Sequence, residues 1–122
     1  MANVHIKRVY DPAGDGDGYR VLVDRIWPRG IKKDGAGVDL WLKEAGTSAE
    51  LRKEFSHRPE KFDAFAVAYR QELDGSEALE RLVELAREQP KLCLLYGAKD
   101  KEHNQAVVLR GMILEQLGVA SG

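Results

Sequence analysis

The segment from Val21 to Gly30 constrains the fold most, because an apolar run of strand type ends there in a cluster of charged residues. Its sequence is Val-Leu-Val-Asp-Arg-Ile-Trp-Pro-Arg-Gly. Three consecutive apolar β-formers are typical of a strand that is buried on both faces, as in sheets covered by helices. Open α/β sheets build their ligand sites at the carboxyl ends of the strands. The segment therefore predicts an α/β fold and also the position of a site.

The rest of the chain supports this fold class. A second all-apolar strand is predicted over 92–96, and an edge strand is predicted over 4–10 from an imperfect alternation of apolar residues. Apolar residues at helical spacing, with capping and stop residues, predict four helices: one from about residue 49 to His57, one after Pro59, one after Ser76, and one ending before Gly118. We predict one α/β domain over residues 1–122, with a mostly parallel sheet surrounded by helices.

Three local features carry predictions of their own. Residues 38–44 predict a short helix or turn, and Thr47 with Glu50 three positions later predicts a capping box at a helix start. The glycine- and aspartate-rich run 11–18 is too short for a helical crossover, so the relation between the first two strands stays open. The aspartates of this run do not match the spacing of a calcium-binding EF-hand loop, which favours a solvated turn.

Composition narrows the functional classes. The 122 residues suit one domain with its own core, and a formal charge of −1 gives no argument for nucleic-acid binding. The single cysteine, Cys93, excludes an internal disulfide and a cysteine-based zinc site, and its apolar strand favours an inert thiol. The sequence shows neither a signal peptide nor an apolar run long enough to span a membrane, so we expect a cytoplasmic protein that makes no membrane contact.

Two groups of polar residues follow the two buried strands. Asp24, Arg25, Trp27 and Arg29 follow the first, and a second group follows the other strand. The second group is Lys99, Asp100, His103 and Asn104. If the strands are parallel neighbours, both groups meet at one edge of the sheet, together with the N-terminus of the last helix.

These side chains suit an anion. Arginine offers a two-pronged donor for phosphate or carboxylate, and a helix N-terminus offers free amides, so Arg25, Arg29 and Lys99 are candidates to hold the charge. Asp24, Asp100 and His103 are candidate acid–base groups, whereas Trp27 and Asn104 are candidate ligand-binding residues. The alternative is structural: the charged groups pair with other segments, Asp100 caps the last helix, and the Trp27 ring packs in the core.

The sequence contains no motif that identifies a known reaction. The chain contains no Gly-x-Ser-x-Gly, no P-loop and no dinucleotide fingerprint, and its three histidines lack the spacing of metal ligands. We therefore predict no cofactor and no metal site. The Arg52-Lys53 pair is interpreted as part of an ordinary solvated helix face.

Several segments together resemble the YeaO-like family of small bacterial proteins, a domain of unknown function (DUF488). The matching segments are Val21 to Gly30, Trp41 to Glu44, Leu51 to Phe55 with His57 and Pro59, and Leu94 to Asp100 with His103-Asn104. The resemblance covers nearly the whole chain. It implies a compact α/β protein of the prokaryotic cytoplasm, and it implies no particular activity.

Three functional hypotheses follow. The leading one is a pocket for a small anionic ligand, such as a nucleotide, at the strand ends, with or without catalysis. The second is a nucleic-acid-binding module that uses Arg29, Lys32 and Lys33 with Trp27, in which case binding would weaken steeply with salt. The third is a protein-interaction domain without catalysis, which an exposed apolar patch would favour.

Overall fold

The computed structural model describes residues 3–32, 37–56 and 58–118, and four strands and four α-helices lie within these ranges. The strands are β1 Val4–Arg8, β2 Tyr19–Leu22, β3 Leu40–Trp41 and β4 Leu92–Tyr96. The α-helices are α1 Ala49–Phe55, α2 Phe62–Leu73, α3 Glu77–Glu88 and α4 Gln105–Gln116. Short 3₁₀ helices cover Lys43–Ala45 and Pro59–Lys61. No helix of the described residues is both long and apolar enough to cross a membrane.

The four strands form one parallel sheet in the order β1-β4-β2-β3. This confirms the predicted α/β class and the edge position of β1. Strands β2 and β4 are neighbours, with Val21 opposite Leu94 and Leu22 opposite Leu95. Their carboxyl ends therefore lie side by side, which is the condition for the two polar groups to meet.

The connections between the strands differ in whether they contain helices. Residues 9–18 connect β1 to β2 and residues 23–39 connect β2 to β3, and neither stretch contains a described helix. The connection from β3 to β4 holds α1, α2 and α3, and α4 follows β4 and packs on β1 and β4. The first two strands, whose relation the sequence left open, are parallel and separated by β4.

The core consists of two apolar clusters, because side chains alternate between the faces of a strand. The larger cluster combines strand residues such as Val21 and Leu94 with residues of all four helices. The smaller cluster contains Val9, Leu22, Cys93 and Leu95, and four partly buried residues of the β2–β3 connection and β3 pack against it. These four are Trp27, Ile31, Val38 and Trp41.

Three local predictions need correction. Residues 38–44 form β3 followed by a 3₁₀ helix rather than only a short helix or turn, because Leu40 and Trp41 pair with β2. Strand β2 ends at Leu22, earlier than the apolar run suggested. Helix α1 begins one residue later than the capping-box pattern predicted: Ser48 is the N-cap, and its Oγ accepts from the Leu51 amide at 3.2 Å. The predicted helix end at His57 lies outside the described residues.

Helix α3 begins at the predicted cap, which supplies a first test. The Ser76 Oγ accepts a hydrogen bond from the Leu79 amide at 3.2 Å. We expect Ser76→Ala to lower the free energy of unfolding by about 1 kcal/mol, because one amide of the first turn loses its partner. Urea unfolding measures this, with the exposed Gln71→Ala as control. An unchanged midpoint for Ser76→Ala would show that the cap contributes nothing.

Candidate functional site

A cleft of about 380 Å³ opens at the carboxyl edge of the sheet. Its walls come from the segments that follow β1, β2 and β4, and from the region of α1 and α2. The lining residues are Tyr10, Asp24, Arg25, Ile26, Trp27, Pro28, Arg29, Thr47, Arg52, Phe55, Phe65, Gly97, Ala98, His103, Asn104 and Gln105. The cleft lies where the strand-end argument placed the site.

Most of the predicted site residues line this cleft, namely Asp24, Arg25, Trp27, Arg29, His103 and Asn104. Lys99 and Asp100 do not line it. Lys99 is exposed, and Asp100 contacts two residues that do line it, His103 and Asn104. Of the residues in the nucleic-acid hypothesis, Lys32 is exposed outside the cleft, and Lys33 lies outside the described residues.

Asp24 joins the ends of β2 and β4. One carboxyl oxygen accepts from the Gly97 amide at 2.8 Å, and the other accepts from the Gln105 side-chain amide. Burial raises the pKa of Asp24 to about 6, although these hydrogen bonds and the charge of Arg52 act in the opposite direction. The carboxyl group is thus a structural link between two strand ends and also a titratable group in the cleft wall.

Arg25 uses part of its donor capacity within the chain. Its Nε donates to the Thr47 carbonyl oxygen at 2.8 Å, and its Nη2 donates to that of Gly46 at 2.9 Å. These bonds tie the end of β2 to the segment before α1. A guanidinium has five N–H donors, so three are not used by these bonds.

The segment between β4 and α4 is built around Asp100 and Asn104. Asp100 Oδ1 accepts from the amides of Glu102 and His103 at 2.9 and 3.0 Å, and Oδ2 lies 2.9 Å from His103 Nδ1. The cap of α4 is Asn104 rather than Asp100, because Asn104 Oδ1 accepts from the Val107 amide at 3.1 Å. The structural alternative for Asp100 is therefore wrong in its details: Asp100 orders the turn and the ring of His103.

His103 is held in one orientation. Its ring packs edge-on against Phe62, with 5.2 Å between the centroids, and Nδ1 contacts Asp100. The contact to Asp100 leaves Nε2 as the ring nitrogen for any ligand. Hydrogen bonds from the backbone amides of Glu102 and His103 lower the pKa of Asp100, and the side chain of His103 lowers it further.

Trp27 stabilises the fold and also lines the cleft. Its Nε1 donates to the Ile31 carbonyl oxygen at 2.7 Å, and its ring packs edge-on against Trp41 at 5.3 Å. The Nε1 of Trp41 donates to the Asp24 carbonyl oxygen at 2.8 Å. The two indoles therefore pin the β2–β3 connection against the sheet while one of them forms a cleft wall.

Sequence reasoning missed several residues of the cleft, above all Arg52 and Gln105. Arg52 looked like part of a solvated helix face, because its helix carries nearby acidic residues, yet the structure places it on the cleft. Gln105 directly follows a predicted site residue, Asn104, but an uncharged amide gave no signal. Only the packing of α1 and α4 at the sheet edge reveals these two residues.

The cleft has an excess of positive charge. Among the described residues that line it are three arginines, Arg25, Arg29 and Arg52, and one carboxyl group, Asp24. Within the described part of the chain, neither Arg29 nor Arg52 forms an ion pair within 4 Å. The same ranges contain no cluster of His, Cys, Asp and Glu that could hold a metal ion.

These features define a small parallel-sheet α/β protein with an arginine-rich cleft at the strand ends. A family model described as "Inactive DUF488-N3 subclade" matches residues 3–121, nearly the whole chain. The chain belongs to this family, which confirms the DUF488 resemblance seen in the sequence.

Proteins with similar sequences support this assignment. The chain is 49% identical over 108 residues to the uncharacterized protein YeaO of Escherichia coli (strain K12), which covers 88% of this chain and 93% of YeaO. It is 50% identical over 82 residues to the uncharacterized protein Rv3073c of Mycobacterium tuberculosis, covering 67% of this chain and 70% of that relative. The uncharacterized protein Mb3100c of Mycobacterium bovis matches to the same extent. No solved structure matches the chain.

Proposed function

We propose that the cleft binds a small organic anion that carries a carboxylate or phosphate group on an apolar body. The observation that carries this proposal is the convergence of Arg25, Arg29 and Arg52 in a cleft with one carboxyl group among its described lining residues. Arginine forms charge-assisted, two-pronged hydrogen bonds with both kinds of anionic group. Arg29 and Arg52 are the principal candidates, because no ion pair engages them within the described residues.

The apolar part of the cleft favours an organic anion over an inorganic one. Ile26, Trp27 and Pro28 line one wall, and Phe55 and Phe65 line another part. Ile26 is 62% exposed, so an apolar surface already stands in water at the cleft and would gain from being covered. A volume of about 380 Å³ also falls within the usual size of small-molecule sites.

Two observations favour binding over catalysis. The carboxyl oxygens of Asp24 already accept hydrogen bonds from Gly97 and Gln105, so this group holds the strand ends together. The description of the family also calls the subclade inactive. We assign Asp24 and Asp100 to positioning, the latter by orienting His103, and we assign His103 to ligand contact through Nε2.

A thermal-unfolding screen tests the proposal. The probes are inorganic phosphate, benzoate, phenyl phosphate and a nucleoside monophosphate, each with wild type, Arg29→Ala, Arg52→Ala and a control variant. A ligand at about 100 times its dissociation constant adds roughly 2.7 kcal/mol to the free energy of unfolding. We expect an organic anion to stabilise the wild type more than phosphate does, and the two cleft variants to lose most of this stabilisation.

The control is Arg87→Ala, which removes an exposed arginine of α3 outside the cleft and should keep the full ligand effect. Equal losses in Arg87→Ala and Arg29→Ala would mean that the effect is unspecific charge screening. Stabilisation by oligonucleotides alone, with a steep salt dependence, would replace the proposal with the nucleic-acid hypothesis. No stabilisation by any probe would leave a protein partner as the better hypothesis.

A further inference from the structure

We propose that anion binding in this cleft is coupled to proton uptake by Asp24, so that the anion binds best when this carboxyl group is neutral. The inference rests on the proposed function and adds a means of regulation to the same site. It makes the affinity of the cleft for an anion depend on pH.

The geometry places Asp24 among the cations of the cleft. It is the one carboxyl group among the described lining residues, and three arginines share the cleft with it. Arg25 is its chain neighbour, and Arg52 of α1 acts on it by charge. The charge of Asp24 in turn contributes, after burial and Glu72, to raising the pKa of Tyr69 of α2. From the β4–α4 side its contacts are the uncharged Gly97 amide and Gln105.

The hydrogen-bond network around Asp24 accommodates both protonation states. The Gly97 amide can only donate, and it donates to Oδ2 at 2.8 Å in either state. Gln105 carries both a donor and an acceptor on its side-chain amide. When Oδ1 gains a proton, rotation of this amide presents its oxygen as the acceptor, so protonation leaves no buried donor unpaired.

Electrostatics gives the sign of the coupling. An ionised Asp24 offsets part of the arginine charge and repels an incoming anion, whereas a neutral Asp24 leaves that charge available to the ligand. Burial raises the pKa of Asp24 to about 6, so the change of state falls in a range that cells reach. Protonation of His103, which also lines the cleft, has the same sign and must be separated by experiment.

Benzenesulfonate is a suitable probe because its charge does not change between pH 5 and pH 8. Isothermal titration at constant ionic strength should show binding about tenfold tighter at about pH 5 than at about pH 8, a coupling within the usual range for linked sites. In Asp24→Asn this pH dependence should disappear. Asparagine has the shape of the neutral acid and can keep bonds to Gly97 and Gln105. In His103→Gln most of the dependence should remain.

A measurement on the wild-type chain makes the test independent of the variants. Linkage is reciprocal, so tenfold coupling requires bound benzenesulfonate to raise the pKa of Asp24 by about 1. The carbon chemical shift of the Asp24 carboxyl group, followed by NMR with and without the probe, reports this change. An Asp24 pKa that does not respond to the probe would overturn the coupling even if Asp24→Asn fails to fold.

The outcomes separate the two proposals. Binding that is lost in Arg29→Ala but is equally tight at every pH overturns the coupling and leaves the proposed function intact. A pH dependence that disappears in His103→Gln and persists in Asp24→Asn also overturns it, because the proton then belongs to His103. Absence of benzenesulfonate binding at every pH, together with no stabilisation by any anion of the thermal-unfolding screen, overturns both proposals.

Discussion

Gly46→Ala is expected to lower the free energy of unfolding by about 3 kcal/mol, at the upper end of the usual cost of overpacking. A Cβ at this position would overlap the backbone nitrogen of Arg25 and would lie 2.8 Å from its Cα. Gly46 has φ −71° and ψ 162°, a conformation that alanine adopts without strain, so the whole cost comes from this contact. The backbone must move, because the nearest atoms are the N, Cα and Cβ of Arg25 rather than the end of a flexible side chain.

The same substitution should damage the cleft, because the Gly46 carbonyl oxygen holds the Arg25 guanidinium at 2.9 Å. The control is Gly111→Ala in α4, where a Cβ would meet the nearest atom, the Arg70 Nη2, at 3.6 Å. Alanine favours a helix over glycine by about 1 kcal/mol, so the control should be neutral or stabilising. Chemical denaturation of both variants measures the difference. Equal stability of the two would mean that the chain does not approach itself closely at Gly46.

Asp24 is expected to make the protein less stable as the pH rises from about 4 to about 6. Burial raises its pKa from 3.8 to about 6, so in this window the folded state holds a proton that the unfolded state has released. The free energy of unfolding therefore falls as the pH rises through the window and levels off above about pH 6. A difference of about two pKa units corresponds to a loss of about 3 kcal/mol.

Urea unfolding of wild type and Asp24→Asn across this range isolates the effect. Asparagine does not titrate, so the difference in stability between the two proteins should change with pH by about 3 kcal/mol. His5, whose pKa is lowered mainly by burial, acts in the opposite direction, but it is present in both proteins and cancels. A difference that is constant with pH would show that the carboxyl group keeps an ordinary pKa in the folded chain.

Much of the fold was predictable because it depends on local patterns. The apolar runs at Val21 and at 92–96 became the two neighbouring buried strands, and the stripes after Pro59 and Ser76 became α2 and α3. Predictions that depended on pairing or on single caps were less accurate. Strand β3 forms only because Leu40 and Trp41 meet β2, and no propensity in so short a segment indicates that partner.

The candidate site was predictable in part for the same reason. Residues that follow a buried strand start from the edge of the sheet, and Asp24, Arg29 and His103, which follow β2 and β4, are among the residues that line the cleft. Lys99 also follows β4, but its side chain is exposed and does not line the cleft. The position of a residue after a strand therefore does not determine where its side chain points.

The sequence by itself determined the α/β class and the two buried strands that the polar residues follow, because strand burial follows from the order of apolar and charged residues. The parallel pairing of β2 with β4, which brings the two strand ends together, was decided by the tertiary structure. Only the tertiary structure decided which groups share the cleft. Arg52 reaches it from a helix that follows β3, and Gln105 bonds to Asp24 across 81 positions of the chain. Such contacts arise from the packing of helices on the sheet, and no local pattern carries that information.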